Sequence, residues 1–363
     1  MGFTCGIVGL PNAGKSTLFN LITNAQVPTD NYPFCTIDPN IGIVNVPDEN
    51  LIKIAELIKP DKISPTTLKF FDIAGLVRGA HQGEGLGNQF LGHIRGVDAI
   101  IHVVRCFEDT TISHVYNEIN PVGDLEVVLA ELIMADLDIV QRRLDSIKRA
   151  ARVGKKDISA SEDELLTQMQ EALADGKCII DMDLEFDEAH MKALGILTAK
   201  PFVVVANIGE DDFISGSDHL RALQSWGEIH NKPVIPICTK FELEAAELSD
   251  EERLEFLESI GITKSGTDKL IQTCYELLDL ITFYTPVGTE LKAWTIEKGD
   301  TLYDAAGLIH TDIQQGFIKA DVVSLDAFQT YNGITGAREA GAVLIEGKEF
   351  RLRDKDIVVI HFR

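Results

Sequence analysis

The sequence predicts an α/β fold with an inserted helical hairpin and a small mixed domain at the C-terminal end. Apolar runs at residues 4–8, 98–104 and 201–206 have the length of buried strands, with helical patterns between them. Between about 124 and 200, apolar residues recur at helical spacing, which predicts two antiparallel helices. Beyond Thr282, alternating apolar residues and turn glycines predict mixed strands and helix. The predicted boundaries are 1–123 with 201–280 for the α/β domain, 124–200 for the hairpin and 281–363 for the last domain.

Composition limits where the protein works and what it binds. The chain has 363 residues, and no apolar run approaches the roughly 18 residues of a membrane span, so no membrane association is predicted. Its six cysteines are scattered without a CxxC pair, which is typical of reduced thiols in the cytoplasm. The formal net charge of −24 argues against nonspecific nucleic-acid binding by the whole surface. A polyanionic partner would therefore need a local basic patch.

A glycine-rich run from Gly9 to Ser16 follows the first predicted strand and precedes an amphipathic helix. In that context, backbone N–H groups and the positive end of the helix suit a phosphate chain. Lys15 would bridge the β- and γ-phosphates, and the Ser16 hydroxyl would bind Mg²⁺. The sequence therefore predicts a P-loop, with these nucleotide-binding residues: Asn12, Ala13, Gly14, Lys15, Ser16 and Thr17.

Two further segments have the positions of magnesium and γ-phosphate sensors. Thr36 stands between two prolines in the loop after the first helix, where a threonine completes the Mg²⁺ shell of P-loop NTPases. Asp72 ends an apolar strand, and Gly75 follows three residues later. Asp72 would hold Mg²⁺ through water, and the Gly75 N–H would sense the γ-phosphate. The predicted metal ligands are Ser16, Thr36 and Asp72, and the predicted catalytic residues are Lys15, Gly75 and His114.

The loop after residues 201–206 predicts an altered base preference. Guanine-specific enzymes carry NKxD here, because the aspartate accepts hydrogen bonds from guanine N1–H and N2–H₂. This chain has Asn207, with Ile208 in place of the lysine and Glu210 in place of the aspartate. The extra methylene displaces the carboxylate, and a lost bidentate contact costs roughly 1–3 kcal/mol. Guanine specificity is therefore predicted to be relaxed or lost, and residues 236–240 have the position of a second base-contacting loop.

The glycine-rich run from Gly75 to Gly87 resembles the Obg-type GTPases, and the whole chain resembles their YchF (Obg-like ATPase) branch. The resemblance implies a Ras-like P-loop domain, a coiled-coil hairpin at 124–200, and a ubiquitin-like β-grasp (TGS) domain at 281–363. It implies that Asn207, Ile208 and Glu210 favour ATP over GTP, with Ile208 covering the base. It also implies a slow ATP-hydrolysing switch that binds the ribosome, through rRNA or protein contacts of the large subunit.

The sequence leaves two alternatives open: which residue activates water, and whether a monovalent ion is bound. Leu76 stands where Ras-like GTPases carry a water-orienting glutamine, and leucine cannot orient water. His114 and His81 are candidate replacements, and the alternative for each is a solvated loop histidine. Asn12 resembles the asparagine that helps hold K⁺ in K⁺-activated NTPases. The alternative is that Asn12 suits the turn geometry.

One concentrated basic surface is predicted at the tip of the hairpin. In so acidic a chain it favours contact with a polyanion such as ribosomal RNA, the alternative being a solvated helix face. Its residues are Arg142, Arg143, Lys148, Arg149, Arg152, Lys155 and Lys156.

Three other functions compete with the ATPase interpretation. The first is an ordinary Obg-type GTPase, if Glu210 reaches guanine. The second is an RNA- or ribosome-binding scaffold with a regulatory nucleotide site. The third is a nucleotide kinase, against which the DxxG pattern beginning at Asp72 and the switch segments count.

Overall fold

The protein divides into two compact units. A computed structural model describes residues 2–24, 40–73, 86–116, 118–152, 160–182, 188–246, 248, 252 and 265–363. One unit comprises Met1–Ile43 and Lys69–Leu270, and the other comprises Val44–Leu68 and Ile271–Arg363. We call them the nucleotide unit and the C-terminal unit.

Twelve strands lie in the described ranges and form two six-stranded sheets. Their orders are β2-β4-β1-β5-β6-β7 in the first sheet and β11-β10-β12-β8-β9-β3 in the second. The strands are β1 (Thr4–Val8), β2 (Ile41–Asn45), β3 (Lys62–Ser64), β4 (Thr67–Asp72), β5 (Ala99–Arg105), β6 (Phe202–Asn207), β7 (Val234–Ile237), β8 (Leu280–Val287), β9 (Glu290–Glu297), β10 (Phe317–Val323), β11 (Leu344–Glu346) and β12 (Ile357–Phe362).

The described helices include none that is long and apolar enough to cross a membrane. They are α1 (Lys15–Asn24), α2 (Glu49–Ile58), α3 (Leu86–Arg95), α4 (Pro121–Arg152), α5 (Ala160–Ala174), α6 (Glu188–Leu194), α7 (Glu210–Ser215), α8 (Asp218–His230), α9 (Thr239–Ala246), α10 (Gly266–Leu277), α11 (Leu302–Ile309), α12 (Thr311–Gln315), α13 (Leu325–Thr330) and α14 (Ile334–Glu339).

The sheet of the nucleotide unit confirms the predicted α/β class. Strand β1 pairs in parallel with β4 and β5, and the parallel ladder continues through β6 to β7. Every residue of β5 and β6 is buried, which explains why these strands read as continuous apolar runs. The carboxyl ends of β1, β4 and β6 lie at one edge of the sheet, where ligands of open α/β sheets bind.

Helices α4 and α5 form the predicted antiparallel hairpin. Arg143 Nη2 lies 2.6 Å from Glu162 Oε1, and Gln170 donates a hydrogen bond to Gln141. The partner number rises as the α4 number falls, so the helices run in opposite directions. The hairpin does not stand apart, because Leu125 and Leu132 in the first half of α4 belong to the same core cluster as the sheet.

Asp136 anchors α4 to the chain that leads into β6. Its carboxylate accepts hydrogen bonds from Leu197 N (2.8 Å), Thr198 N (2.7 Å) and Thr198 Oγ1 (2.7 Å). Burial raises the pKa of this carboxyl to about 6 although the donors act in the opposite direction. The contact fixes the base of the hairpin.

The C-terminal unit is built on a mixed sheet. Strands β8 and β9 form an antiparallel hairpin, β12 runs parallel to β8, and β10 pairs antiparallel with β12. One face packs against α2, α13 and α14, and the other packs against α11. Both faces of the sheet are therefore partly covered by helices.

Residues 44–68 belong to the C-terminal unit, which differs from the expected boundary of 1–123. Strand β3 pairs in parallel with β9, and α2 packs on the second sheet. Asp48 caps the start of α2 through the backbone N–H groups of Asn50 and Leu51, and it also accepts a 2.9 Å hydrogen bond from the buried Tyr284 hydroxyl. These partners lie more than 200 residues apart in the chain, so local sequence pattern could not reveal them.

Candidate functional site

The P-loop turn between β1 and α1 has a backbone that requires glycine. Gly9 has φ +154° and Gly14 has φ +98°, where residues with side chains are strained. A Cβ atom on Gly9 would lie 2.3 Å from the Val103 carbonyl oxygen, and one on Gly14 would lie 2.2 Å from Asn207 Nδ2. The predicted strand–turn–helix is therefore confirmed, and its shape is fixed by the backbone.

Three side chains meet at the phosphate end of the site. Lys15 is only 8% exposed, and its Nζ donates a 2.8 Å hydrogen bond to the Leu10 carbonyl within the turn. Burial lowers the pKa of Lys15, whereas the charge of Asp72 acts to raise it. Ser16 Oγ donates to Asp72 Oδ2 at 2.8 Å. The fold thus brings Lys15 and Ser16, at the start of α1, together with Asp72 at the end of β4.

The Ser16–Asp72 pair fits a magnesium ion. Mg²⁺ prefers oxygen ligands and keeps several waters, so one hydroxyl and one carboxylate suffice on the protein side. Within the described part of the chain, no cluster of three or more His, Cys, Asp and Glu residues could hold a metal ion. Thr36, Gly75 and His81 lie outside the described residues, and their roles stay predictions.

The base end is a cleft of about 1050 Å³ beside the P-loop. Six of the predicted nucleotide-binding residues line it: Asn12, Gly14, Thr17, Asn207, Ile208 and Glu210. Asn207 is buried, donates to the Ala13 carbonyl (3.0 Å) and accepts from Thr239 Oγ1 (3.1 Å). This side chain therefore joins the P-loop to the loops that follow β6 and β7.

Glu210 does not stand alone in the cleft. Lys240 Nζ lies 2.9 Å from Glu210 Oε1, and both side chains are at least half exposed. Hydrogen bonding to Glu210 raises the pKa of Lys240. The sequence placed residues 236–240 near the base but did not reveal this ion pair, because its partners lie at the starts of two different helices, α7 and α9.

The loop after β5 supplies residues to the cleft that sequence reasoning missed. Phe107 and Ile112 line it. Arg105, only 3% exposed, donates to the carbonyls of Phe107 (3.2 Å), Ile112 (3.1 Å) and Asp109 (3.0 Å). Its guanidinium also lies 4.5 Å from the centre of the Phe107 ring. The sequence feature that could have identified this loop as part of the cleft is an aromatic residue two positions beyond a buried strand.

His114 is held away from the cleft. Its Nδ1 accepts a hydrogen bond from Tyr116 N (3.2 Å), so the proton resides on Nε2, which lies 2.8 Å from Asp124 Oδ2. Burial raises the pKa of Asp124, against the effect of the His114 contact. With both ring nitrogens engaged, His114 cannot accept a proton from water in this conformation.

Asn12 is tied to the same loop. Its backbone has φ +63°, and its Nδ2 donates to the Ser113 carbonyl at 3.1 Å. Asparagine tolerates this left-handed conformation better than most residues. The turn-geometry interpretation therefore has a structural basis, and K⁺ binding stays a prediction.

His102 lies on β5 behind the P-loop. The side chain is fully buried against the edge of Phe202, with ring centres 5.1 Å apart. Neither ring nitrogen has a hydrogen-bond partner among the described residues. Burial lowers the pKa of His102 to about 3, so the ring is neutral at physiological pH.

Part of the predicted basic surface lies on the outer half of α4. Arg142, Arg143, Lys148 and Arg149 are exposed. Arg143 pairs with Glu162, and Arg142 lies 3.8 Å from Asp138. Lys155, Lys156 and the side chain of Arg152 lie outside the described residues.

The backbone turn, its buried lysine and the parallel strands that support them define a P-loop nucleotide-binding protein. A family model described as "50S ribosome-binding GTPase" matches residues 4–133. A second model, for the C-terminal domain of YchF GTPases and described as a "Protein of unknown function", matches residues 280–363.

Relatives match this chain along its whole length, and the chain belongs to the YchF family. The "Ribosome-binding ATPase YchF" of Bacillus subtilis (strain 168) is 46% identical over 366 residues, covering 100% of this chain and 99% of the relative. The protein of that name from Escherichia coli O157:H7 is 45% identical over 359 residues, covering 99% and 98%. The "Structure of the Schizosaccharomyces pombe YchF GTPase" is 34% identical, with a TM-score of 0.90 and coverage of 99% and 98%.

Proposed function

We propose that this protein is a ribosome-binding ATPase that hydrolyses ATP slowly to ADP and phosphate and acts as a nucleotide-dependent switch. The bacterial relatives carry the name ribosome-binding ATPase, whereas the Schizosaccharomyces pombe relative is called a GTPase. The observation that carries the ATP assignment is the base end: an apolar Ile208 and a Glu210 already paired with Lys240. An ordinary Obg-type GTPase is the second candidate, favoured by the name GTPase that this relative carries.

The phosphate end supports hydrolysis through binding and charge. P-loop N–H groups and Lys15 would hold the β- and γ-phosphates, and Ser16, Asp72 and Thr36 would hold Mg²⁺. Bound Mg²⁺ would neutralise charge on the phosphate oxygens. Gly75 would contact the γ-phosphate through its backbone N–H. K⁺ beside Asn12 would add positive charge at the same place.

Slow basal hydrolysis follows from the hydrogen bonds that already engage His114. Residue 76 is a leucine, and His114 is engaged with Asp124 and Tyr116. We propose that His114 orients water only after this loop rearranges on a partner. His114→Ala should then abolish stimulated hydrolysis while nucleotide affinity is retained. Equal stimulation of the variant and wild type would assign His114 a purely structural role.

The ribosome is the proposed partner, through its large subunit. The model description "50S ribosome-binding GTPase" supports the subunit, and the exposed lysine and arginines of α4 supply positive charge in a chain of net charge −24. The C-terminal unit is proposed to be a TGS domain. Its support is the central parallel pair β8–β12 flanked by antiparallel partners, with α11 on one face.

Nucleotide competition tests the ATPase assignment. Fluorescent ATP and GTP analogues are titrated in Mg²⁺ with K⁺ or Na⁺, against unlabelled competitors. The proposal expects ATP to bind more tightly than GTP. A clear GTP preference would overturn it in favour of the Obg-type GTPase and leave the phosphate-end assignments intact.

Sedimentation with ribosomes tests the partner. Arg142→Glu with Arg149→Glu should weaken association and reduce its salt dependence, because each lost phosphate contact lowers the salt slope by about one. Lys192→Glu, at an exposed lysine on α6 and not on α4 or α5, is the control, because it makes the same charge change at a single site. If Lys15→Ala leaves both association and biological function unchanged, the protein is a scaffold with a vestigial nucleotide site.

A further inference from the structure

Hydrogen bonds hold the backbone segments that carry Glu210 and Lys240. Glu210 is the first residue of α7, and the N–H of the preceding Gly209 is held by Asp212 Oδ2 at 3.3 Å. Lys240 follows Thr239, whose hydroxyl donates to the buried Asn207. Ile208 N also donates to the Ile237 carbonyl at 3.0 Å. The two loops are therefore locked together, and the backbones that carry the ion pair cannot separate without breaking these bonds.

Guanine recognition needs a carboxylate with both oxygens available. The N1–H and N2–H₂ groups of guanine donate two parallel hydrogen bonds, and an ionised carboxylate accepts both. In this cleft one oxygen of Glu210 is engaged by an ammonium group, and the pair is electrically neutral overall. Adenine has no N–H at position 1, so ATP loses nothing when Glu210 is engaged in this way.

We infer that Lys240 is a specificity-determining residue, because it holds Glu210 in an ion pair and so withholds that carboxylate from guanine. The inference rests on the proposed preference for ATP and adds its cause. The longer side chain of glutamate displaces the carboxylate, and Lys240 then holds it in place. A glutamate without this partner would be free to turn toward the base.

The charges around Lys240 make Glu210 its main partner. Glu210 acts on Lys240 through both a hydrogen bond and charge, whereas Glu244 acts through charge alone. Glu244 lies one helical turn further along α9, so its negative charge also keeps Lys240 protonated. Removal of the lysine charge should therefore act on the base through Glu210.

The test compares ATP, GTP and ITP binding to wild type and to Lys240→Met. ITP has the guanine N1–H but lacks the N2 amino group. The variant should shift the ATP-to-GTP affinity ratio about 5-fold toward GTP, the limit set by an exposed ion pair. GTP should gain more than ITP, which indicates a bidentate contact. Lys192→Met, an exposed lysine that pairs with Asp98 and does not line the cleft, is the control.

A double variant isolates the mechanism. In Lys240→Met combined with Glu210→Gln, the shift toward GTP should disappear, because the amide cannot accept both guanine donors. An unchanged ratio in Lys240→Met, or a shift that survives in the double variant, would overturn the inference. Lys240→Gln repeats the test with a polar side chain if the methionine variant is poorly folded.

Failure of the inference and failure of the proposed function are distinguishable. The wild-type ratio alone tests the ATP preference, and the change of that ratio on substitution tests Lys240. A wild type that prefers GTP would refute the ATPase assignment whatever the variants do.

Discussion

The two ends of the nucleotide site are built in different ways. At the phosphate end, two glycines with positive φ shape the turn, and Lys15 is 8% exposed. At the base end, Glu210 and Lys240 have side chains that are 50% and 75% exposed. Backbone geometry therefore fixes the phosphate end, whereas a solvated side-chain pair sets the base end. We expect substitutions to cost more at the first than at the second.

The largest effect is expected from Lys15→Ala. It removes the cation that would contact the β- and γ-phosphates, and loss of one such electrostatic group costs about 100-fold or more in rate. Steady-state ATP hydrolysis measures it, with Lys192→Met as the surface control. Near-normal hydrolysis by the alanine variant would show that the phosphate end does not depend on Lys15, and that substitutions there do not cost more than at the base end.

The next largest effect is expected from Gly14→Ala, which should weaken nucleotide binding. The φ of +98° strains alanine, and its Cβ would meet Asn207 Nδ2 at 2.2 Å, so strain of about 1–3 kcal/mol predicts a nucleotide affinity about 5- to 150-fold weaker. Gly92→Ala is the matched control, because a Cβ there has nothing within 4 Å. Equal affinities for the two variants would mean that the turn adapts more easily than its geometry indicates.

Acid should weaken the nucleotide unit through His102. Its pKa is about 3 in the fold against 6.5 in water, so the unfolded chain binds a proton first as pH falls. This contribution to stability is complete above pH 6.5 and is lost progressively toward pH 3. Between pH 7 and 5 it amounts to about 2 kcal/mol.

Urea unfolding at both pH values measures this effect. A Trp294→Phe background leaves Trp226 as the reporter of the nucleotide unit. Between pH 7 and pH 5, the free energy of unfolding should fall less in His102→Leu than in the parent. Identical pH dependence in the two proteins would exclude His102 as the cause.

The smallest effect is expected at the base end. Glu210→Asp shortens the side chain by one methylene and restores the guanine-binding length, so GTP affinity should rise about 10-fold relative to ATP. Competition binding measures the ratio, with Glu244→Asp as the control on the neighbouring helix. If Lys240 holds the shorter carboxylate as well, combination with Lys240→Met should increase the gain.

Sequence pattern predicted most of the nucleotide unit. The run at 4–8 is β1, and the run at 201–206 lies almost entirely within β6 (Phe202–Asn207). Helix α11 occupies the predicted residues Leu302 to Ile309. These elements are predictable because their apolar periodicity and their turn residues are local in the sequence. The segment 44–68 was assigned to the wrong unit, since its partners in β9 and at Tyr284 are remote in the chain.

The candidate site, too, was predicted from the sequence only in part. Lys15, Ser16 and Asp72 meet as predicted, because parallel strands deliver their carboxyl ends to one edge of the sheet. His114 was a candidate because a histidine in this polar loop could orient or deprotonate water in place of the missing glutamine, but the fold engages it with Asp124 on α4. Such side-chain pairing depends on packing between elements, which residue order alone does not specify.

The sequence by itself determined the P-loop, the parallel sheet around it, the helical hairpin and the change at Ile208 and Glu210. Each of these follows from local residue order: glycines where φ must be positive, apolar periods, and residue type at a strand end. Only the tertiary structure decided that Lys240 pairs with Glu210, that Arg105 orders the loop bearing Phe107, and that Asn207 joins three loops. These contacts are made between elements far apart in the chain, and they form only when the sheet places the loops side by side.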